Sequence, residues 1–523
     1  MNPKAIYLII LIIIHPALFD TNTSVKAADT ETAVIAVKGD FDSLNELTAS
    51  NSDALQVINN MLFMTLLKLN HKLEFKAHLA KNWVVSADST KVTFYLRNDI
   101  KWSDGRPTTA ADVKFTIDLA THPDIPYPAS SRFDRVKEVK TVNDTTITFL
   151  LTAWYPDVLF DLNIPILPRH ILEKIPPKEI AHCEFNRNPV SNGAFQLKEW
   201  KSNQSLLFVQ NDFWPMEKPD INQIAFSIIQ DDMLLLSNLK SGNVHMATHL
   251  NQTVYDQLKQ IPAIRPVRYQ SKSYSFIGWN CSKDIFSTAV RRALSHAIDK
   301  TQIIDICMGG YAQPFRGPFL PVSRAHNPNL QGIPFDLKQA QQILESEGWI
   351  DHNRDGFREK DNRTFEITLT INAGSQLQKD IAVVIQSQLA RAGIKLHIHQ
   401  LELNSFIQSV FRKHEFDAVI LTWDVDFTVD PSPLFHSSAI DGGYNFVSFS
   451  NSRIDSLLES VKALSSFRVV QPLWDEFQEI ILEQSPYTFL FTPDNLAAVH
   501  QSLKATEPDV RGYLNNIHQW QLS

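Results

Sequence analysis

The chain has 523 residues, 44% hydrophobic and 20% charged, and its 49 basic and 57 acidic side chains leave a net charge of −8. A chain this long exceeds a single hydrophobic core, so two or three domains are expected. No basic block or low-complexity tract stands out, which argues against nucleic acid as the main partner and against a fibrous or largely disordered state.

Lys4 precedes an apolar run, Ala5 to Ile14, that continues past His15 and Pro16 to Phe19. The run is too short to span a bilayer comfortably. Small residues follow at Val25-Lys26-Ala27 and Ala28. Residues 1–28 therefore read as a secretory signal peptide cleaved near Ala27 or Ala28, with an uncleaved anchor as the alternative. Cys183, Cys281 and Cys307 are odd in number and far apart, so they offer neither a disulfide framework nor a zinc site. They read as buried small hydrophobes.

Residues 33–39 (AVIAVKG) predict a buried strand. The polar stretch Thr48 to Asp53 predicts a loop and cap before a helix carrying Leu55, Ile58, Met61 and Leu62. Ala87-Asp88-Ser89 predicts a turn, and Val92-Phe94-Leu96 alternates as a half-buried strand should. Thr109 is placed to cap a helix whose apolar positions are Val113, Ile117 and Ala120. The whole stretch 79–120 is LAKNWVVSADSTKVTFYLRNDIKWSDGRPTTAADVKFTIDLA. It resembles the signature L-A-x-x-W … F-x-L-R … D-G-x-P-x-T-A-x-D-V of the extracellular solute-binding proteins of family five, the oligopeptide- and dipeptide-binding group. Three later stretches resemble the same family in the same order. They are Asn188 to Phe195 with Lys198-Glu199-Trp200 and Asn211 to Trp214, then Val290 to Asp299 with Gly309-Gly310-Tyr311, and last His414 to Asn451. The family often has a Gly-Pro pair where Ala194 sits, which is a departure.

Periodicity alone makes the second half α/β. Val290, Ala293, Leu294, Ala297 and Ile298 form one helical stripe. Asp336 caps a predicted helix stopped at Gly348, Phe365 to Ile371 alternates as a strand, and Ile381, Ile385 and Leu389 lie on a helix stopped at Gly393. Ile394 to Ile398 is the next predicted strand. Helices alternating with strands imply crossover units and a largely parallel sheet. Ile454, Leu457, Leu458 and Val461 mark another helix. Pro472 is expected at the first position of the helix after it, and Tyr487 to Phe491 as a late strand.

The stretch His414 to Asn451 carries the candidate site. Phe416 to Leu421 reads as a strand buried on both faces. Trp423, Asp424, Asp426 and Asp430 follow it, with Pro431 and Pro433 ending regular structure. An aromatic face with carboxylates at a strand's carboxyl end suits a ligand with a positive amine and an apolar body. An aspartate-rich turn with a packed Trp is the competing reading. The resemblance implies that a carboxylate in a W-x-x-D-x-x-(D/E)-P segment holds a peptide's α-ammonium. Asp426 occupies that position, with Trp423 in the aromatic place. Three residues instead of the usual two separate Asp426 from Asp430, so Asp430 can take the role. Tyr274 matches a family aromatic near the hinge and is a candidate ligand contact.

The resemblance implies an α/β, two-lobed periplasmic binding protein of type II in its large three-subdomain form. It implies a signal peptide (1–28), a discontinuous first lobe (29–69, 189–272 and 486–523) with an inserted subdomain (70–188), and a second lobe (273–485). It further implies a monomer in the periplasm that captures a peptide or peptide-like solute and delivers it to a membrane ABC permease. No catalytic motif accompanies it: there is no Gly-x-Ser-x-Gly, His-Glu-x-x-His, phosphate loop or dinucleotide glycine pattern. Other readings are a non-peptide solute (metal chelate, opine or sugar fragment), a ligand-dependent sensor for a membrane receptor, and an enzyme on the same scaffold. No cofactor or metal is expected. Asp351, Asn353, Asp355 and Glu359 nearly form a calcium loop, but Asn362 stands where a bidentate Glu is needed. His397 and His399 share a strand face and are two ligands too few for a structural site.

Overall fold

The computed structural model describes residues 32–155, 157–462, 464 and 467–523; the signal-peptide and cleavage expectations lie outside them. Among the described residues a twelve-stranded mixed sheet organises the chain. Its first half is built on Thr32–Val37, buried at all six positions, which pairs in parallel with Gln223–Ile228 and with Met246–Ala247. Its second half pairs Glu366–Asn372 in parallel with Lys395–Leu401 and Ala418–Asp424, and Ala418–Asp424 antiparallel with Ser273–Trp279.

One strand, Tyr487–His500, runs through both halves. Its early residues pair with Ser275–Gly278 and Ala312–Pro314. From Asp494 onward it pairs with Ile264–Gln270 and Met246–Ala247. The other connection is Ser271-Lys272, between Ile264–Gln270 and Ser273–Trp279. Two chain crossings thus join the halves.

The central strand Ser273–Trp279 and residues 487–491 of its neighbour are buried at every position because both faces are covered, which explains their apolar runs. Helices Thr288–Ala297 and Gln376–Arg391 pack one face, and Ser452–Lys462 and Phe467–Gln484 the other. Local signals behave as the sequence implies. Asn51 accepts from the Ala54 N–H at 2.9 Å and opens the helix Ser52–Val57, which continues as a π-helical turn over Ile58–Leu62. The Thr109 N–H donates to Asp112 at 2.8 Å and opens Ala110–Ala120. Asp336 caps Leu337–Ser346. Pro472 departs from expectation: it sits inside Phe467–Gln484 rather than at its start. It removes one helical hydrogen bond, and the helix persists because Val470, Trp474, Phe477 and Ile481 bury one continuous stripe.

Residues 70–188 contain a separate antiparallel sheet, in the order Ala80–Val85, Lys91–Leu96, Thr146–Leu151, Val136–Asn143. Phe94 and Phe149 of that sheet share one core with Ile35, Phe195, Phe226 and the C-terminal Trp520. This smaller sheet is therefore fixed to the first half of the large sheet by common packing. At the junction Gly193 presses on the π-helical turn, its N–H donating to the Leu62 carbonyl at 2.7 Å. A Cβ there would stand 2.3 Å from the Met61 carbonyl oxygen, so the NPVSNGAF turn requires glycine.

Candidate functional site

Asp426 leaves the sheet two residues after the strand Ala418–Asp424. The Val425 N–H still reaches the Lys272 carbonyl at 2.8 Å, so the ladder extends to the hinge before the chain turns away. Asp430 accepts the Ser432 N–H at 2.9 Å and, with Pro431, opens the short helix Ser432–Phe435. Asp426 and Asp430 thus project from one loop into the space between the lobes.

The segments around Ser130–Phe133 and Val158–Asp161 supply the opposite wall. Arg132, on a single 3₁₀ turn over Ser130–Phe133, donates to the Phe160 carbonyl at 3.2 Å. It stands 3.8 Å from the Asp161 carboxylate and 3.9 Å from that of Asp426. Tyr155 donates to Asp161 at 2.5 Å. Asp157 ties the walls together: one oxygen accepts the Val429 N–H at 2.7 Å and the other accepts from Arg324 at 2.7 Å. Arg135 also crosses, donating to the Lys462 carbonyl at 3.4 Å.

Three cavities meet here. The largest, about 430 Å³, is lined by Arg132, Arg135, Asp157, Asp161, Asp426 and Asp430 among others. A second of about 320 Å³ runs from Asp426 and Arg132 to Glu46, Lys68, Lys272 and Arg511. A third of about 140 Å³ lies between Tyr274, Phe319 and the Val425 to Pro431 loop. Asp426 lines all three. Burial pushes the Asp157 carboxyl up to about 7, against the Val429 N–H and Arg324. Burial likewise raises Asp161 to about 6 and Glu46 to about 7. Several carboxyls that disfavour their charged form therefore face a space a cation can enter.

The other expected site residues lie around this centre. Asp424 is exposed at the end of its strand, opposite Ser273. Trp423 pairs with Tyr274 across the two strands and stacks on Phe276, with Phe411, Tyr444 and Phe446 around it. Tyr274 is fully buried among Phe276, Phe315 and Phe489. Arg132, Asp157, Asp161, Glu46 and Lys68 escaped the sequence reading. They sit in short turns and edge segments with no periodic signature, and only tertiary packing brings them to the cleft.

Away from the cleft, oxygens of Asp351, Asp355 and Glu359 lie within 4.8 Å of one another. Asn362 sits at the turn of the hairpin Glu359–Lys360/Arg363–Thr364, where Asp361 and Asn362 have φ of 51° and 57°. His397 pairs with Glu366 at 3.1 Å. The three thiols are free and partly buried.

Residues 74–446 match the family model described as bacterial extracellular solute-binding proteins, family 5, middle. The chain belongs to this family. Among family relatives, the oligopeptide-binding protein AppA of Bacillus subtilis is 30% identical over 495 residues, covering 92% of this chain and 91% of its own. The heme-binding protein A of Haemophilus influenzae is 25% identical over 497 residues, covering 90% and 86%. Among solved structures, that of Bacillus subtilis AppA in complex with a nonapeptide superposes with a TM-score of 0.75 at 28% identity, covering 94% and 99%. That of NikZ from Campylobacter jejuni in complex with Ni(L-His) gives 0.77 at 25%, covering 94% and 100%. The family fold is the two-lobed type II architecture with a cleft between lobes, where the Asp426 loop and the Arg132 turn meet. Among the described residues no helix is long and apolar enough to cross a membrane.

Proposed function

We propose that this family member is an exported binding protein that captures a peptide or peptide-like solute between its lobes and presents it to a membrane ABC importer. The first lobe comprises 29–69, 189–272 and 486–523 with the insertion 70–188, and the second lobe 273–485. The observation that carries the reading is the cleft itself: one loop of the second lobe sets Asp426 and Asp430 opposite Arg132 and Asp161 of the insertion. Asp426 accepts the ligand's α-ammonium, and the stack behind Trp423 and Tyr274 fixes the strand ends from which the loop departs. A ligand touching both walls selects the closed arrangement by contacts that neither wall offers alone. Binding rather than turnover is the activity. The likeness to the oligopeptide-binding relative supports a peptide. A compact anionic chelate is the second reading, supported by Arg132 in the cleft and by the likeness to the Ni(L-His) complex.

Mass spectrometry of material released on denaturing the protein, purified without refolding from its native compartment, tests the reading. Peptides are the expected finding. A chelate, sugar or opine as the sole released solute refutes the peptide assignment.

A further inference from the structure

Asp157 stands at the start of the four-residue helix Val158–Asp161, where an aspartate commonly turns back to accept a first-turn N–H. Its side chain makes no such bond. Both carboxylate oxygens leave their own segment instead. One accepts the N–H of Val429, 272 positions along the chain, at 2.7 Å, and the other accepts from Arg324 at 2.7 Å. The Arg324 guanidinium also lies 4.7 Å over the ring of Phe160 in the same short helix.

The two ends of this contact belong to different cores. Val158 and Leu162 pack with Ile35, Phe94 and Phe149. Val429 packs with Tyr274, Phe319 and Phe435. The contact is shielded from water, with Asp157 5% and Val429 2% exposed. Other links across the cleft are longer: Arg132 stands 3.9 Å from an exposed Asp426, and Arg135 donates to the Lys462 carbonyl at 3.4 Å. With the walls together, Asp157 gives the buried Val429 N–H its acceptor. A buried donor left without one costs more than an ordinary hydrogen bond contributes, so this contact outweighs the looser ones. Val429 also lies between Asp426 and Asp430, so a carboxylate from the far wall fixes the backbone of the loop that carries both.

We infer that Asp157 is a positioning residue: it clasps the Asp426 loop from across the cleft, holds the two walls together without help from a solute, and sets Asp426 and Asp430 in place when the walls meet. This rests on the lobe closure proposed above and does not depend on the solute being a peptide. The protein by itself then divides between open and closed forms, and the closed form is the one whose binding loop is ordered. Every interaction that favours closure raises the apparent affinity by enlarging that fraction.

Small-angle X-ray scattering on the mature protein, dialysed until denaturation releases no solute, tests the clasp. The parent is compared with Asp157→Ala, Asp157→Asn and Asp157→Lys, each with an unchanged circular dichroism spectrum. Asp157→Ala leaves the Val429 N–H without an acceptor. It should shift the closed-to-open ratio toward open on the order of tenfold, read as a larger radius of gyration. Asp157→Asn keeps an acceptor oxygen in the same place and should scatter close to the parent. Asp157→Lys sets a second cation against Arg324 and should be the most extended. Hydrogen exchange at the Ser432 amide, which donates to Asp430, reads the loop itself and should quicken in Asp157→Ala. An Asp157→Lys protein as compact as the parent, or a parent as extended as Asp157→Lys, overturns the clasp. Asp157→Asn expanded as far as Asp157→Ala overturns the Val429 N–H as its partner. An unchanged Ser432 exchange rate overturns the positioning of the loop. The peptide reading is decided separately, by the solute released on denaturation, whichever way the scattering falls.

Discussion

Asp426→Asn removes a charge and keeps the shape, and its effect follows from where Asp426 stands. In the cleft its side chain is 57% exposed and faces Arg132 at 3.9 Å. Losing a buried charge-assisted bond to a ligand costs about 2–5 kcal/mol, because the partner charge is left unpaired. Two features of this site favour the low end. More than half of the carboxylate is in water before binding, so part of the interaction is screened. The ligand's ammonium also competes with Arg132, which retains Asp161 at 3.8 Å when Asp426 is lost. About 2 kcal/mol is therefore expected, roughly a thirtyfold loss of affinity at tenfold per 1.4 kcal/mol. The assay is a four-way titration: parent and Asp426→Asn, each with a free and an N-acetylated peptide. Acetylation should weaken the parent by a similar factor and add little in the variant. If Asp426→Asn binds like the parent while Asp430→Asn does not, the amine sits one step further along the loop. If neither variant matters, the ligand does not enter by an amine and the reasoning fails.

Glu46, Asp157 and Asp161 take up protons more readily folded than unfolded, rising from 4.5, 3.8 and 3.8 to about 7, 7 and 6. Their stabilising contribution is complete below about pH 4 and is lost as pH rises through the folded values. Glu46→Gln should therefore flatten the fall in melting temperature between about pH 4.5 and 7.5, and an unchanged slope would sink the assignment. Chelator should alter neither melting temperature nor peptide affinity, since Asn362 is committed to a hairpin turn instead of the Asp351 loop; a clear drop in melting temperature would show that the three carboxyl groups hold an ion. N-terminal sequencing of the exported protein should begin at Ala28 or Asp29, and a start at Met1 would contradict the signal peptide.

Elements with a strong period were legible in the sequence. Helices Leu337–Ser346 and Gln376–Arg391 and strand Glu366–Asn372 lie where alternation and caps put them. Tyr487–His500 extends far beyond Phe491 because neighbours on both sides satisfy its backbone, although Thr492, Asp494 and Asn495 break the apolar run. Pro472 misled because a proline rule local to the first turn competes with an apolar stripe along the whole helix. At the cleft, Asp426 and Asp430 stood out by their spacing after a buried strand. Arg132, Asp157 and Lys68 did not, because their role comes from tertiary neighbours hundreds of positions away, as Val429 is from Asp157.

The strand Tyr487–His500 also bears on how the molecule is made. The first half of the sheet needs Leu496 to Val499 beside Met246–Ala247 and Ile264–Gln270, and its core needs Tyr513, Leu514 and Trp520. These residues are synthesised after the strands Ser273–Trp279, Glu366–Asn372, Lys395–Leu401 and Ala418–Asp424 of the second half. The first half of the sheet, although most of its chain comes earlier, therefore stays unfinished until the second half has been made and Leu496 to Trp520 have followed. A stop codon that removes only the final segment would leave an open sheet edge and a core missing its closing aromatics, damage to the part of the molecule made earliest.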